Sequence, residues 1–84
     1  MIQSFGYKHG PIVRAHKTFD VRTLTHDTNS PEFAAKRAEI QDYVTSHPGE
    51  TVAIGCEKGL HRSRVLANQV ATAARTSVLH RERK

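Results

Sequence analysis

The residues best suited to chemistry lie in the segment AIGCEKGLHRSRV, Ala53–Val65. An apolar run ends at Cys56, a short polar loop follows, and a helical pattern begins at Arg62. A helix start leaves backbone N–H groups without partners and favours an anion. Glycine permits close approach of the backbone, and an arginine fork suits phosphate oxygens. Together with Gly59 and the Ser63 hydroxyl, this pattern predicts a site for phosphate or a similar oxyanion.

The spacing of the loop also fits a catalytic interpretation. Five residues separate Cys56 from Arg62, and this resembles the signature loop of protein tyrosine and dual-specificity phosphatases. A cysteine beside a helix N-terminus and an arginine has a lowered thiol pKa and is a better nucleophile. The general acid would be Asp20 or Asp27. Those phosphatases carry histidine immediately before the cysteine, whereas this chain has Gly55, so the loop alone leaves binding and catalysis both open.

Strands and turns follow from the spacing of apolar and turn residues. A first strand is predicted in IQSFGYK, before Gly10 and Pro11. A second covers Lys17–Leu24, in which alternate side chains share a face. The third, Thr51–Cys56, is continuously apolar, which is typical of a strand covered on both faces. A fourth is expected in TSVLHRERK.

Two helices connect these strands. Ser30, Pro31 and Glu32 combine a capping hydroxyl, a first-turn proline and an acid near the positive end of the helix dipole. They predict a helix over 31–46. Its apolar stripe consists of Phe33, Ile40 and Val44. A second helix is predicted over 62–75, with one face formed by Leu66, Val70, Ala73 and Ala74.

The order strand, strand, helix, strand, helix, strand predicts an α/β domain. We expect a small, mostly parallel sheet of about four strands with two helices. Ligands of such sheets bind beyond the carboxyl ends of the strands, next to helix N-termini, which is where Cys56–Ser63 falls. The 84 residues fit a single domain, 1–84, in which 81–84 form a basic tail.

Composition favours anionic partners. Lys and Arg number 13 against 8 Asp and Glu, for a formal net charge of +5, which suits nucleic acid or phosphorylated metabolites. The single cysteine excludes an internal disulfide and fits a reducing compartment. The sequence contains neither an apolar stretch of about 20 residues nor a secretion signal. We therefore expect a cytoplasmic protein with no membrane contact, and self-association would help so short a chain to be stable.

Four blocks of sequence point to a family. SFGYKHG (Ser4–Gly10), FDVR (Phe19–Arg22), AIGCEKGLHRS (Ala53–Ser63) and HRER (His80–Arg83) occur in that order. Over most of its length the chain thus resembles the C-terminal domain of the RNase adapter protein RapZ family. That resemblance implies part of a sugar-phosphate kinase fold, binding of small regulatory RNAs, sensing of glucosamine-6-phosphate, and presentation of RNA to ribonuclease E.

The chain also departs from that family. The family's N-terminal nucleotide-binding domain is absent, and no G-x-x-x-x-G-K-[ST] occurs, so we do not predict an NTPase. The family loop commonly reads CTGGxHRS, where this chain has Glu57 and Lys58 in place of Thr-Gly. The segment after FDVR is shorter than in long family members. The family's LPNPH becomes LTHDT, where His26 can stand in for the family histidine.

Two groups of candidate residues follow. For a phosphorylated ligand they are Cys56, Gly59, His61, Arg62 and Ser63, bordered by Asp20, Arg22, Lys8 and His9. For RNA they are Arg75, Arg81, Arg83 and Lys84. Asp20 and Arg22 would hydrogen-bond a sugar hydroxyl and a phosphate oxygen, or form only a local ion pair. The basic residues would contact phosphates in a salt-dependent manner, or form a solvated tail. The few aromatic residues favour recognition of backbone and shape over base stacking.

These observations predict a non-catalytic module that binds a sugar phosphate, an RNA backbone, or both, at the Cys56–Ser63 loop. No cofactor or metal is expected. One alternative is a cysteine-dependent phosphatase using Cys56, Arg62 and Asp20. Another is an accessory or phage protein that mimics the host adapter and binds its ribonuclease or another protein partner.

Overall fold

A computed structural model describes residues 1–10, 14–24 and 27–82 of the chain. Within these ranges the strands form one parallel sheet of four, in the order β2-β3-β1-β4. The strands are β1 (Ile2–Gly6), β2 (Lys17–Asp20), β3 (Val52–Cys56) and β4 (Val78–His80). The helices are α1 (Pro31–Ser46) and α2 (Arg62–Ala74), and a 3-10 turn, Tyr7–His9, follows β1. The predicted α/β class, element order and parallel sheet are confirmed.

Helix α1 has the bounds that the sequence predicts. The Ser30 hydroxyl accepts a hydrogen bond from the Phe33 N–H at 3.2 Å, and Pro31 occupies the first turn. Phe33 and Ile40 are completely buried, and Val44 packs half-buried beside them. Local capping and the apolar stripe therefore agree, and together they fix this helix.

The buried face of α2 differs from the prediction. Ala73 is exposed and Ala74 is only half-buried, although the sequence suggested that both face the sheet. Ala67 and Ala71 take that place, because they continue the apolar stripe at helical spacing. The buried residues of α2 are Arg62, Ser63, Leu66, Ala67, Val70 and Ala71.

Strand β2 is shorter than predicted and ends at Asp20. The Asp20 carboxylate accepts the Arg22 N–H at 3.0 Å, and the Leu24 N–H donates to the Val21 carbonyl at 3.1 Å. A side-chain bond to the local backbone thus replaces the sheet ladder. Strand β1 also stops early, at Gly6, where the 3-10 turn begins.

The parallel arrangement brings the carboxyl ends of the strands to one edge of the sheet, here called the carboxyl edge. Gly6, Asp20, Cys56 and His80 end the strands there. Helix α2 also begins at this edge, since it follows β3 directly. In the described part of the chain, no helix is both long and apolar enough to cross a membrane.

Candidate functional site

The loop after β3 lies directly against the end of β1. Gly59 has φ +74°, and a Cβ there would lie 2.4 Å from the Gly6 nitrogen. A Cβ on Gly6 would in turn meet the Lys58 carbonyl at 2.3 Å. The Lys8 N–H donates to the Glu57 carbonyl at 2.8 Å, which fixes the start of the loop. The two main chains therefore touch because neither glycine carries a side chain.

The packing around Gly55 leaves no room for a histidine before the cysteine. A Cβ at this position would lie 2.4 Å from the Phe5 ring and 2.7 Å from the Tyr7 ring. The two rings contact each other, with centroids 4.9 Å apart. Because Phe5 is completely buried, its ring cannot move aside for a larger residue.

The Cys56 sulfur lies where several hydrogen-bond donors of the loop converge. The Gly59 N–H donates to Sγ at 3.2 Å, and the Ser63 hydroxyl also lies 3.2 Å from Sγ. Burial raises the pKa of the Cys56 thiol, but the Ser63 hydroxyl and the backbone N–H groups of Ser63, Gly59 and His61 outweigh it, so the pKa lies below its ordinary value. The loop thus stabilises negative charge at this point.

Helix α2 begins without a side-chain cap. Its N-cap residue is His61, which makes no capping hydrogen bond, whereas Ser30 caps α1. The first N–H groups of a helix have no intrahelical acceptor and favour anions. A cavity of about 300 Å³ opens here, lined by Cys56, Glu57, Lys58, Leu60, His61 and Arg62.

Arg62 is placed differently from the simple phosphate clamp that the sequence suggests. It is only 8% exposed, and its Nη1 donates to the Arg22 carbonyl at 2.7 Å and the Leu24 carbonyl at 2.8 Å. The guanidinium therefore connects the start of α2 to the turn after β2. Its Nε and Nη2 find no acceptor within the described residues, and the residue lines the cavity.

Asp20 and Arg22 form a local ion pair, the alternative to direct ligand contact by these two side chains. Arg22 Nε lies 3.0 and 3.1 Å from the two carboxylate oxygens, and Nη2 lies 2.7 Å from Oδ2. The hydrogen bond from Arg22 lowers the pKa of Asp20, and the same bond raises the pKa of Arg22. Asp20 is therefore a carboxylate near neutral pH, which disfavours it as a general acid.

The other candidate acid, Asp27, follows in the same connection. Asp27 Oδ1 accepts the Asn29 N–H at 3.0 Å, so this carboxylate shapes the turn before α1. His26 lies outside the described residues. Lys8 and His9 are exposed in the 3-10 turn, beside the start of the β3 loop.

Arg81 and Glu82 are not solvated tail residues. Arg81 Nη2 donates to the carbonyls of Gly6 at 3.1 Å and Gly10 at 2.6 Å. Glu82 Oε2 accepts the Gly6 N–H at 2.7 Å and pairs with Arg81 at 2.9 Å. Because these side chains satisfy both backbone groups of Gly6, they extend the hydrogen bonding of β1 beyond the end of β4.

Among the described basic candidates, Arg75 does not lie beside Arg81. Arg75 ends α2 in the left-handed region, at φ 54°. It precedes β4, whose first residue pairs with the first residue of β1, so it lies at the opposite edge of the sheet. Arg83 and Lys84 lie outside the described residues. Contact of any of these residues with RNA remains a prediction.

The fold therefore brings all nine predicted ligand residues to the carboxyl edge. They are Cys56, Gly59, His61, Arg62, Ser63, Asp20, Arg22, Lys8 and His9. Sequence reasoning missed the roles of Gly6, Tyr7 and Glu82, although the first two stand in the SFGYKHG block. Among the described residues, no group of three or more His, Cys, Asp or Glu could hold a metal ion.

Fold and site together define a parallel α/β protein with an anion-favouring loop at the carboxyl edge of its sheet, the usual ligand position in this class. No family model matches the chain. No solved structure matches it either.

The chain does have homologues among curated proteins, and the three described here are named nucleotide-binding protein. The one from Dictyoglomus turgidum is 32% identical over 114 residues, which covers 96% of this chain and 39% of that protein. Its counterpart from Alkalilimnicola ehrlichii is 34% identical over 116 residues, covering 98% and 40%. That from Ralstonia nicotianae is 31% identical over 115 residues, covering 98% and 39%.

The matches cover only part of each relative, and the aligned regions differ in length. The chain spans about two fifths of the length of the relatives it matches. The aligned region of 114 residues is longer than the 84 residues of this chain, so the relatives carry residues there that this chain lacks.

Proposed function

We propose that the chain is a non-catalytic domain of the RapZ C-terminal type that binds a phosphorylated ligand at the Cys56–Ser63 loop. The observation that carries this proposal is the convergence of loop donors on Cys56 Sγ beside an uncapped helix start. An oxyanion in the adjoining cavity would accept from N–H groups at the start of α2 and from Nε and Nη2 of Arg62.

The names of the relatives support the phosphate part of the proposal. Those names describe whole proteins, of which this chain matches about two fifths. The phosphate group is common to nucleotides, sugar phosphates and RNA. The resemblance of the four blocks to the RapZ C-terminal domain favours a sugar phosphate similar to glucosamine-6-phosphate, with Lys8 and His9 at the border of the site.

The same resemblance supports RNA as a partner, and a ribonuclease or another protein as a second partner. Arg75, Arg81, Arg83 and Lys84 are the proposed backbone contacts. Arg75 lies at the opposite edge from Arg81, so contact with both requires an RNA that spans the molecule. Electrostatic contacts of this kind weaken steeply as salt is raised.

A calorimetric titration tests the phosphate site. Inorganic phosphate and glucosamine-6-phosphate are titrated into the wild type and into Arg62→Lys and Ser63→Ala. Arg62→Lys preserves the charge but loses the fork that holds two carbonyls and an anion together, so we expect at least tenfold weaker binding. Ser30→Ala is the matched control for Ser63→Ala, because it removes a hydroxyl at the start of the other helix. Binding that is equal in all four proteins would rule the site out.

A cysteine-dependent phosphatase is the second candidate, favoured by the lowered pKa of the Cys56 thiol and its Ser63 partner. Against it, Cys56 is only 3% exposed, and Asp20 is held ionised by Arg22. Incubation with a small aryl phosphate separates the two functions. We expect no turnover, and turnover that disappears in Cys56→Ser would replace the binding proposal.

A further inference from the structure

Tyr7 and Arg22 form a stacked pair next to the proposed phosphate site. The guanidinium carbon of Arg22 lies over the Tyr7 ring, 3.9 Å from its centroid. Tyr7 in turn packs against the buried Phe5 ring. One face of the guanidinium therefore rests on an aromatic layer that is anchored in the sheet.

Asp20 uses the edge of this guanidinium. Its carboxylate accepts from both Nε and Nη2 of Arg22, at 2.7–3.1 Å. That is one of the two edges with which arginine binds phosphate in a bidentate manner, and Asp20 occupies it. The side chain of Arg22 is nevertheless 46% exposed. With one face on Tyr7 and the Nε/Nη2 edge on Asp20, Arg22 offers a ligand its other face and the Nη1 end of the guanidinium.

We propose that this exposed guanidinium face stacks a nucleobase, so that the ligand of the Cys56–Ser63 loop is a nucleotide unit, with its phosphate at α2 and its base on Arg22. The inference rests on the proposed phosphate site and adds the class of ligand. A planar, weakly hydrated guanidinium is a suitable stacking surface for bases, and stacking tolerates any base because each has a π-face. Asp20 and Tyr7 hold the plane in place before the ligand arrives, which reduces the entropy lost on binding.

The stacking surface and the phosphate loop are joined by direct hydrogen bonds. The Arg22 carbonyl accepts from Arg62, which lines the cavity at the loop, at 2.7 Å. The Val21 N–H donates to the Gly55 carbonyl, next to Cys56, at 2.8 Å. These bonds place the Arg22 main chain beside a residue that lines the cavity, and base stacking requires that a base attached through one ribose reach the Arg22 side chain.

Three small molecules separate the base from the phosphate. Adenosine 5′-monophosphate, ribose 5-phosphate and adenosine are titrated into the wild type by calorimetry. Base stacking of the usual strength predicts that the nucleotide binds about tenfold or more tightly than ribose 5-phosphate. A short oligoadenylate is the fourth ligand. Much tighter binding than that of the mononucleotide assigns the site to an RNA, and equal binding assigns it to a free nucleotide; both support base stacking.

Variants then test the guanidinium plane. Arg22→Lys keeps the positive charge but removes the planar face, so the nucleotide should lose much more affinity than ribose 5-phosphate, and the ratio of the two affinities should fall towards one. Tyr7→Phe keeps the supporting ring and should leave the preference for the nucleotide, whereas Tyr7→Leu should reduce it. Arg37→Lys makes the same change on α1, where the guanidinium contacts Gln69, and should change nothing. Circular dichroism verifies that each variant is folded.

The outcomes distinguish the two levels of the proposal. Equal affinities for adenosine 5′-monophosphate and ribose 5-phosphate would overturn base stacking and leave the phosphate site intact. Adenosine that binds as tightly as its monophosphate would support the stacking surface and refute the phosphate site. An Arg22→Lys variant that loses both phosphorylated ligands equally would show that Arg22 contributes charge alone, and would also overturn the inference.

Discussion

The contact between the β3 loop and β1 predicts an unequal response of two glycines to alanine. Gly49 and Gly59 both have positive φ, at +90° and +74°. Around Gly49 nothing lies within 4 Å of an added Cβ, whereas at Gly59 the Cβ would meet the Gly6 nitrogen at 2.4 Å and the Phe5 carbonyl carbon at 2.6 Å. Both of the atoms met at Gly59 belong to the backbone of a central strand.

The expected magnitudes follow from these two environments. A left-handed conformation costs a residue with a Cβ roughly 1–2 kcal/mol, and Gly49→Ala incurs only this term. Gly59→Ala incurs the same term plus overpacking, typically about 1–3 kcal/mol, because β1 or the loop must move. We therefore expect Gly59→Ala to lower the free energy of unfolding by about 2–5 kcal/mol and Gly49→Ala by about 1–2 kcal/mol.

Urea denaturation followed by circular dichroism measures both variants against the wild type. In a domain of this size, 1 kcal/mol corresponds to about 4–8 °C in Tm, so thermal unfolding provides a second readout. Gly59→Ala should also bind phosphate more weakly, while Gly49→Ala should bind it normally. Equal loss of stability in the two variants would mean that the loop is not held against β1, and the site geometry would be wrong.

Three further predictions concern caps and ionisable groups. Ser30→Ala removes the α1 cap and should lower the free energy of unfolding, measured by urea denaturation, by about 1 kcal/mol. The pKa of Cys56 is lower in the folded state than its ordinary value, so the free energy of unfolding should rise with pH between these two pKa values. Below the folded-state pKa this contribution is lost, and above the ordinary thiol pKa it is complete. Ser63→Ala removes a partner of the thiolate and should make the rise smaller. The pKa of Asp20 is also lowered, so the free energy of unfolding should fall as the pH drops below the ordinary carboxyl pKa. Asp20→Asn cannot titrate and should show a smaller fall.

Local signals in the sequence predicted the helices better than the strand ends. Ser30, Pro31 and Glu32 mark the start of α1 through interactions within one turn, and such interactions can be recognised without the rest of the fold. The end of β2 depends on the Asp20 carboxylate capturing the Arg22 N–H, which competes with continuation of the strand. Apolar alternation alone gave no sign of that competition.

The sequence predicts that the site lies at the carboxyl edge, but it does not predict which residues contact one another there. Gly59 and the Cys56–Ser63 loop follow from residue types at a strand-to-helix junction. The Tyr7–Arg22 stack joins residues from two different connections, so it arises only when β1 and β2 are placed on either side of β3. The same holds for Arg62, whose two carbonyl partners lie about 40 residues away in the chain. Long-range backbone partners of this kind leave no local pattern.

The central claim is that the uncapped start of α2 is a site for tetrahedral oxyanions. Backbone amide chemical shifts, recorded while inorganic phosphate is added, test it most directly. The account predicts saturable shifts at the amides of 59–63 and none at the start of α1, where the Ser30 hydroxyl already accepts the Phe33 N–H. Absence of saturable shifts in the β3–α2 loop, or equal shifts at the two helix starts, would contradict it.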